Sequence, residues 1–129
     1  ALAIARANGA RLGLDVRWLE SSWFAALGSE RFDVLVSNPP YVRTADVVGD
    51  LVHEPRLALD GGVDGLDAYR AILAAAPSHL RAGGIVALEH GYDQRPALLQ
   101  LAREHGFAVQ AAHDDLAGRA RVLVLEVSQ

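Results

Sequence analysis

The 129-residue sequence contains no cysteine, no methionine and no lysine. Without cysteine it has no disulfide framework, no thiol nucleophile and no cysteine-ligated zinc site. No apolar run approaches the roughly 18 to 20 residues that a membrane-spanning helix requires, and the first residues lack the basic start and apolar stretch of a signal peptide. We therefore expect a soluble, cytoplasmic protein that does not use a membrane as a partner.

Positive charge is also scarce. Twelve arginines stand against 16 acidic residues, which gives a formal net charge of −4. A chain of this charge is poorly suited to holding a phosphate backbone over a broad surface, so nucleic acid is disfavoured as a partner. Hydrophobic residues make up 51% of the chain and the mean hydropathy is +0.15, which excludes a disordered polymer. The length suits one domain with its own core.

Alternating helical and strand patterns predict a doubly wound α/β sheet with an antiparallel pair at its C-terminal end. The strand Phe32–Ser37 is nearly continuously apolar, which is typical of a strand covered on both faces. Residues 42–65 are polar and glycine-rich, and they predict a long loop with a weak helical stretch at 46–52. Three further helices are predicted: one ends near Leu12, one runs from Leu66 to Leu80, and one covers Pro96–Glu104 and starts near Asp93 or Gln94. In the second of these, Pro77 breaks or kinks the helix, and Gly83 and Gly84 end it. The other predicted strands are Val16–Leu19, the buried strand Ile85–Glu89, Phe107–Ala112 and Arg121–Val127.

The strongest chemical feature follows the strand Phe32–Ser37. Ligands of open α/β sheets bind beyond the carboxyl ends of the strands, and this strand ends in Asn38, Pro39, Pro40 and Tyr41. The two prolines remove two backbone donors and fix two φ angles, so the turn presents carbonyl oxygens and the Asn38 amide oxygen without competing N–H groups. The pattern predicts a binding site for an NH₂ group. The alternative is a rigid turn in which Tyr41 is ordinary core.

This turn resembles the signature of S-adenosylmethionine-dependent methyltransferases that modify an amide or an exocyclic amino nitrogen. Four further blocks follow along the chain: Glu54–Gly62, Asp64–Leu66, Leu88–Gly91 and Asp115–Arg119. In this order the blocks resemble the release-factor glutamine methyltransferase family (HemK/PrmC), and together they cover nearly the whole chain. The resemblance implies a Rossmann-like methyltransferase fold with a mostly parallel sheet and an antiparallel C-terminal strand pair.

The reaction that this resemblance implies is methyl transfer from S-adenosylmethionine to the side-chain amide nitrogen of the glutamine in the Gly-Gly-Gln motif of peptide-chain release factors. An amide nitrogen is a poor nucleophile because its lone pair is delocalised into the carbonyl. The Asn38 side-chain oxygen and the Pro39 carbonyl would bind the two amide hydrogens and orient the nitrogen. Tyr41 would pack against the substrate amide. The resemblance thus gives catalytic roles to Asn38, Pro39 and Tyr41, with Pro40 as a further substrate-binding residue.

The same resemblance assigns part of a cofactor site. Trp23 corresponds to the residue that lines the adenine pocket, and an indole face stacks well on a purine. The alternative is a tryptophan that anchors a helix start in the core. Asn38 would also border the cofactor. The family's glycine-rich turn and its ribose-binding acidic residue would both precede Ala1, so we expect the chain to be the C-terminal part of a catalytic domain whose N-terminal strands are missing.

No metal site is predicted, because the histidines have no ligand spacing and no acidic cluster completes a calcium loop. We expect the histidines to be solvated or to act as caps. Glu54 and Arg56 are expected to pair within the long loop; the alternative is that this loop helps to close over the substrate glutamine. The turn at 114–115 is expected to be solvated. Glu89 and His90, at the end of a strand, either line the site or support it.

Two alternative functions stay open at this point. An adenine-N6 methyltransferase acting on DNA or RNA would share Asn38–Tyr41, but the net charge of −4 and the Glu54–Gly62 block disfavour it. A non-catalytic fragment that binds release factor would keep the acceptor residues and the loop without the cofactor turn.

The missing cofactor elements lead to a first prediction. Without a glycine-rich turn and a ribose-binding carboxylate, residues 1–129 alone should bind S-adenosylmethionine poorly and should be inactive. Isothermal titration calorimetry on this chain measures the affinity directly. Tight binding would contradict the prediction.

Overall fold

The computed structural model describes residues 1–128, apart from the side chains of Asp50 and Val52. Its strands form one four-stranded mixed sheet. The strands are β1 (Phe32–Ser37), β2 (Leu80–Glu89), β3 (Phe107–Asp114) and β4 (Ala120–Val127), in the spatial order β1-β2-β4-β3. The α-helices are α1 (Leu2–Arg11), α2 (Arg56–Leu59), α3 (Asp67–Ala75) and α4 (Arg95–Glu104), and 3₁₀ turns lie at Ala25–Leu27, Thr44–Asp46, Gly49–His53 and Ala76–His79.

The pairing of the strands confirms the predicted α/β class and the antiparallel C-terminal pair, but the described sheet has one parallel and two antiparallel pairs and is therefore mixed, not mostly parallel. β1 runs parallel to β2, with Ser37 beside Leu88, so the carboxyl ends of both strands lie at the same edge of the sheet. β4 is antiparallel to β2 and to β3, as expected for the C-terminal hairpin. A parallel pair needs a crossover connection, and here the crossover consists of the long loop and α3.

The core lies between the sheet and helices α3 and α4. Apolar side chains at helical spacing on α3 and at alternate positions on β2 and β4 meet there. The fully buried members are Tyr69, Leu73, Val86, Leu88, Leu98, Leu123 and Leu125. Within residues 1–128, no helix combines the length and the hydrophobicity that crossing a bilayer requires.

Two predictions about strands are wrong. Val16–Leu19 is not a strand, because it has no backbone hydrogen bonds to a neighbouring strand in the described residues, and its Arg17 pairs with Glu30 at 2.7 Å. β1 is not covered on both faces either. Val34 and Val36 point to the same side and are 51% and 77% exposed, since the described helices cover only the opposite face.

The end of the α3 helix also differs from the prediction. Of the two predicted effects of Pro77, the break is found: α3 stops at Ala75, well before Gly83 and Gly84, which we expected to end it. Pro77 lacks an N–H and its ring crowds the preceding turn, so the chain tightens into a 3₁₀ turn and enters β2 at Leu80. The two glycines lie inside β2, at the register shift in its pairing with β1.

The loop between β1 and α3 has more structure than the sequence predicts. It contains the 3₁₀ turns at Thr44–Asp46 and Gly49–His53 together with α2, and Val42 forms an isolated bridge with Asp60. The predicted helices at the start of the chain and at Pro96–Glu104 are confirmed, and Gln94 occupies the N-cap position of α4.

One buried hydrogen bond links α3 to the strand end beside the candidate site. The Tyr69 hydroxyl, on a fully buried side chain, donates to the Glu89 carbonyl at 2.7 Å. We expect Tyr69→Phe to lower the free energy of unfolding by about 1–3 kcal/mol, because the carbonyl loses its buried donor. Urea denaturation of the chain measures this change. Tyr92→Phe is the matched control, since Tyr92 is 61% exposed and should change stability little. Equal effects of the two substitutions would contradict the prediction.

Candidate active site

The turn Asn38–Tyr41, hereafter the acceptor turn, lies directly after β1 at the edge where β1 and β2 end. Asn38 is exposed, Pro39 is buried, and Pro40 and Tyr41 are half-buried. Within residues 1–128, neither the Asn38 amide nor the Pro39 carbonyl has a hydrogen-bond partner. The turn therefore leaves two acceptors free, which an incoming NH₂ group can satisfy.

A cavity of about 410 Å³ opens beside this turn, and Trp23 and Pro40 both line it. The remaining lining residues are Ser21, Ser22, Leu57, Asp60, Asp67 and Ala68. The structure thus brings two of the predicted site residues together, whereas Asn38 and Tyr41 are not among the lining residues of this cavity.

Trp23 does not anchor a helix in the core, which was the alternative interpretation. Its side chain is 46% exposed, and its φ of +51° is rare for a residue with a side chain. The neighbouring Phe24 packs against the core instead and stacks on His79 with 4.8 Å between ring centroids. This local backbone conformation turns the indole outward, toward the cavity.

The acceptor turn is braced by residues Asp60–Gly65, hereafter the bracing loop. The Val42 N–H donates to the Leu59 carbonyl at 2.9 Å, and the Gly61 N–H donates to the Val42 carbonyl at 2.7 Å. The Thr44 hydroxyl adds a bond to an Asp60 carboxylate oxygen at 2.6 Å. These bonds fix the chain immediately after the turn.

Two glycines of the bracing loop are required by close packing against the turn. A Cβ on Gly61 would lie 2.8 Å from the Tyr41 Cα and 2.9 Å from the Pro40 carbonyl oxygen. Gly65 has a φ of +78°, and its Cβ would lie 2.5 Å from the Tyr41 carbonyl oxygen. No side chain fits at either position without moving the turn.

The ion pairs in and beside the bracing loop differ from the prediction. Arg56 pairs with Asp60 at 2.8 Å, one helical turn later, and not with Glu54. The hydrogen bond from Thr44 and a second from the Gly62 N–H lower the pKa of Asp60. The Arg70 side chain lowers the pKa of Asp64 to about 2 through a hydrogen bond. Both carboxylates are thus ionised at neutral pH.

The end of β2 lies beside the end of β1, next to the acceptor turn. His90 is fully buried, and its Nδ1 lies 2.8 Å from the Gly91 carbonyl oxygen, so Nδ1 carries the proton. Burial lowers the pKa of this histidine, which favours the neutral ring. His79 is also buried, so the expectation of solvated or capping histidines is wrong for these two residues.

The turn between β3 and β4 is more ordered than expected. Asp115 accepts hydrogen bonds from the N–H groups of Ala117 at 2.9 Å and Arg119 at 3.0 Å, and Asp114 pairs with Arg95 at 3.0 Å. In the part of the chain that the structure describes, no group of histidines and carboxylates could hold a metal ion.

Gln94 is the residue near the site that sequence reasoning missed. The sequence placed it only at the start of a helix, but its buried side chain contacts both the acceptor turn and the bracing loop. A polar residue at a helix start predicts a cap, so nothing in the local sequence indicates this role. The clustered glycines at 61, 62 and 65 were the available signal for close packing.

No protein-family model matches this chain. A release factor glutamine methyltransferase of Xylella fastidiosa (strain Temecula1 / ATCC 700964) is 48% identical over 128 residues, which cover 96% of this chain and 46% of the relative. Proteins of the same name from Caulobacter vibrioides and Moorella thermoacetica are 45% and 47% identical to this chain, respectively. The matched regions cover 96% and 94% of this chain and 45% of each relative. Over nearly its whole length the chain is therefore similar to release factor glutamine methyltransferases. It spans about half the length of the curated relatives it matches.

Solved structures show the same fold. A ribosomal protein L11 methylase from Lactobacillus delbrueckii subsp. bulgaricus superposes with a TM-score of 0.66 at 19% identity, covering 99% of this chain and 53% of that one. A methyltransferase from Pyrococcus furiosus superposes with a TM-score of 0.69 at 23% identity, covering 96% of this chain and 55% of that one. The predicted methyltransferase fold is confirmed.

The packing of Gly65 against the acceptor turn leads to a prediction with a matched control. Gly65 and Gly118 have φ values of +78° and +79°, but a Cβ on Gly118 would meet nothing within 4 Å. Gly118→Ala should cost only the backbone strain of about 1–2 kcal/mol. Gly65→Ala should cost at least about 1 kcal/mol more, because its Cβ also overlaps the Tyr41 carbonyl. Urea denaturation of both variants measures the difference, and equal costs would show that the close packing does not matter.

Proposed function

We propose that this chain is the C-terminal part of the catalytic domain of a cytoplasmic enzyme that transfers a methyl group from S-adenosylmethionine to the side-chain amide nitrogen of a glutamine. The proposed substrate is the glutamine of the Gly-Gly-Gln motif in a peptide-chain release factor. The observation that carries the proposal is the acceptor turn, whose Asn38 amide is exposed and without a partner in residues 1–128, in a chain similar to release factor glutamine methyltransferases.

The chemistry of the acceptor turn suits an amide nitrogen. The Asn38 side-chain oxygen and the Pro39 carbonyl would each accept one hydrogen of the substrate NH₂ group. Holding both hydrogens fixes the plane of the amide and the direction of its nitrogen lone pair, and it stabilises the positive charge that develops on nitrogen during transfer. The site needs no strong base before transfer, because the nitrogen becomes acidic only as the new bond forms.

Tyr41 would form a wall of the same site. Its ring is half-buried and packs against the core, so its position is set by the fold before any substrate binds. A preset aromatic wall restricts the orientation of a substrate amide at little entropic cost. Tyr41 thus combines the core role of the alternative interpretation with the proposed role in the site.

The residues present fit one side of an S-adenosylmethionine site. The exposed indole of Trp23 faces a cavity that Pro40 and Leu57 also line, and an indole face is a good stacking surface for adenine. When bound, the cofactor would supply an electrophilic methyl group on a sulfonium. Trp23 would orient the adenine end, and Asn38 would border the cofactor where the methyl group meets the substrate.

The removal of the acceptor tests this proposal. In the complete enzyme that contains this chain, Asn38→Ala should lower kcat for methylation of release factor by about 10²- to 10³-fold, because one preorganised acceptor is lost. Asn8→Ala, an exposed asparagine on α1, is the matched control and should leave kcat unchanged. Transfer of labelled methyl groups measures both rates. Undiminished activity of Asn38→Ala would contradict the proposed role of Asn38.

The same assay separates the alternatives when DNA and RNA are offered beside release factor. Label on release-factor glutamine supports the proposal. Label on adenine would favour the nucleic-acid enzyme, and binding of release factor without label would favour a non-catalytic module. Either of these two outcomes would overturn the proposal.

A further inference from the structure

Gln94 makes three hydrogen bonds with its side chain while being only 3% exposed. Its Oε1 accepts from the Gly91 N–H at 2.8 Å. Its Nε2 donates to the Tyr41 carbonyl at 3.0 Å and to the Gly65 carbonyl at 3.2 Å. Both amide hydrogens and the amide oxygen are therefore used, as a buried amide requires.

Helix capping does not explain this side chain. Gln94 occupies the N-cap position of α4, but the cap makes no side-chain hydrogen bond to the helix. The amide instead joins three segments that are distant in sequence: the end of the acceptor turn, the bracing loop, and the residues after β2. A nonpolar side chain of the same size could fill this space but could not hold the two carbonyls.

The bond to Tyr41 sets the geometry of the acceptor turn. The Tyr41 carbonyl lies two residues beyond Pro39, and Pro40 between them has a fixed φ angle. With the amino end of the turn held by β1, fixing the Tyr41 carbonyl leaves little freedom for the Pro39 carbonyl and the Asn38 backbone. The second bond, to Gly65, ties the bracing loop to the same amide group.

We infer that Gln94 is a positioning residue for methyl transfer: its amide group holds the Tyr41 and Gly65 carbonyls so that the Asn38 and Pro39 acceptors keep the spacing that a substrate NH₂ group requires. This inference rests on the proposed function. Gln94 touches neither substrate nor cofactor in this scheme, and it acts through the acceptor turn.

Two substitutions of Gln94 separate positioning from packing. Gln94→Leu keeps most of the volume and removes all three bonds. Gln94→Glu keeps the oxygen that accepts from the Gly91 N–H. It replaces the Nε2 donor with a carboxylate oxygen, which then faces the carbonyl oxygens of Tyr41 and Gly65. Burial and these carbonyls should raise the pKa of the introduced carboxyl, and its protonated form can donate one of the two lost bonds. The neighbouring charges are engaged elsewhere, Arg43 with Asp93 and Arg95 with Asp114.

The expected kinetics follow from these properties. At about pH 8, both variants of the complete enzyme should show kcat reduced by about 100-fold, as expected for acceptors displaced by about 1 Å. The KM for S-adenosylmethionine should stay near that of the parent, because Gln94 is not among the residues that line the cavity beside Trp23. As the pH falls to about 6, the ratio of kcat for Gln94→Glu to parent kcat should rise as the carboxyl is protonated, while the ratio for Gln94→Leu should stay constant.

Gln110→Glu is the matched control, since Gln110 is an exposed residue of β3, and it should leave kcat and its pH dependence unchanged. Parent-like kcat in both Gln94 variants would overturn the inference. The inference would also be overturned if the kcat of Gln94→Glu did not recover at low pH. The same holds if the fall in its kcat came with an equal rise in the KM for the cofactor. Each result would show that the amide bonds do not position the acceptors.

Amide hydrogen exchange on this chain gives a readout that does not depend on activity. Gln94→Leu should speed exchange of the Val42 and Gly61 N–H groups, whose bonds brace the turn, and leave the β2 and β4 amides protected. Faster exchange throughout β2 and β4 would indicate a general role in stability and would overturn the inference. If the parent enzyme does not methylate release factor, the proposed function fails, and this exchange pattern still shows separately whether Gln94 holds the turn.

Discussion

The parallel pairing of β1 with β2 is the constraint on which the candidate site depends. It places the carboxyl ends of two strands side by side, so that residues about 50 positions apart in sequence meet at one edge. The acceptor turn follows one strand, and the Leu88–Gly91 block spans the end of the other. Helix α3 holds this arrangement from one side, because the Tyr69 hydroxyl binds the carbonyl of Glu89 at the end of β2.

The site is rigid on one side and open on the other. Prolines, the glycines at 61 and 65 and the buried amide of Gln94 restrict the acceptor turn through backbone contacts, so its geometry is preset. The Asn38 amide, in contrast, is exposed and makes no hydrogen bond to residues 1–128. A buried polar group without a partner would be costly, but an exposed one is satisfied by water until a ligand replaces it. This combination suits a site that binds an NH₂ group.

The elements that could be predicted are those with a strong local signal. β1 and the antiparallel hairpin were marked by β-branched and apolar runs, and the turn Asn38–Tyr41 by two consecutive prolines. The wrong predictions concern features that depend on which other residues a segment or side chain contacts in the folded chain. Val16–Leu19 has strand-like residues, but no strand lies beside it in residues 1–128. Arg56 pairs with Asp60, one helical turn away, and not with the nearer Glu54. Trp23 could be named from its resemblance to the family, but its outward orientation depends on a local φ of +51°.

The sequence by itself determined the alternation of helices and strands, the position of the acceptor turn and the resemblance to release factor glutamine methyltransferases, because each is encoded by neighbouring residues or by their order. The tertiary structure alone decided which polar groups meet. Gln94 looks like an ordinary helix start until folding brings it to the carbonyls of Tyr41 and Gly65. The glycines of the bracing loop are needed only because another segment packs against them. Such contacts depend on distances across the fold, which local sequence patterns do not specify.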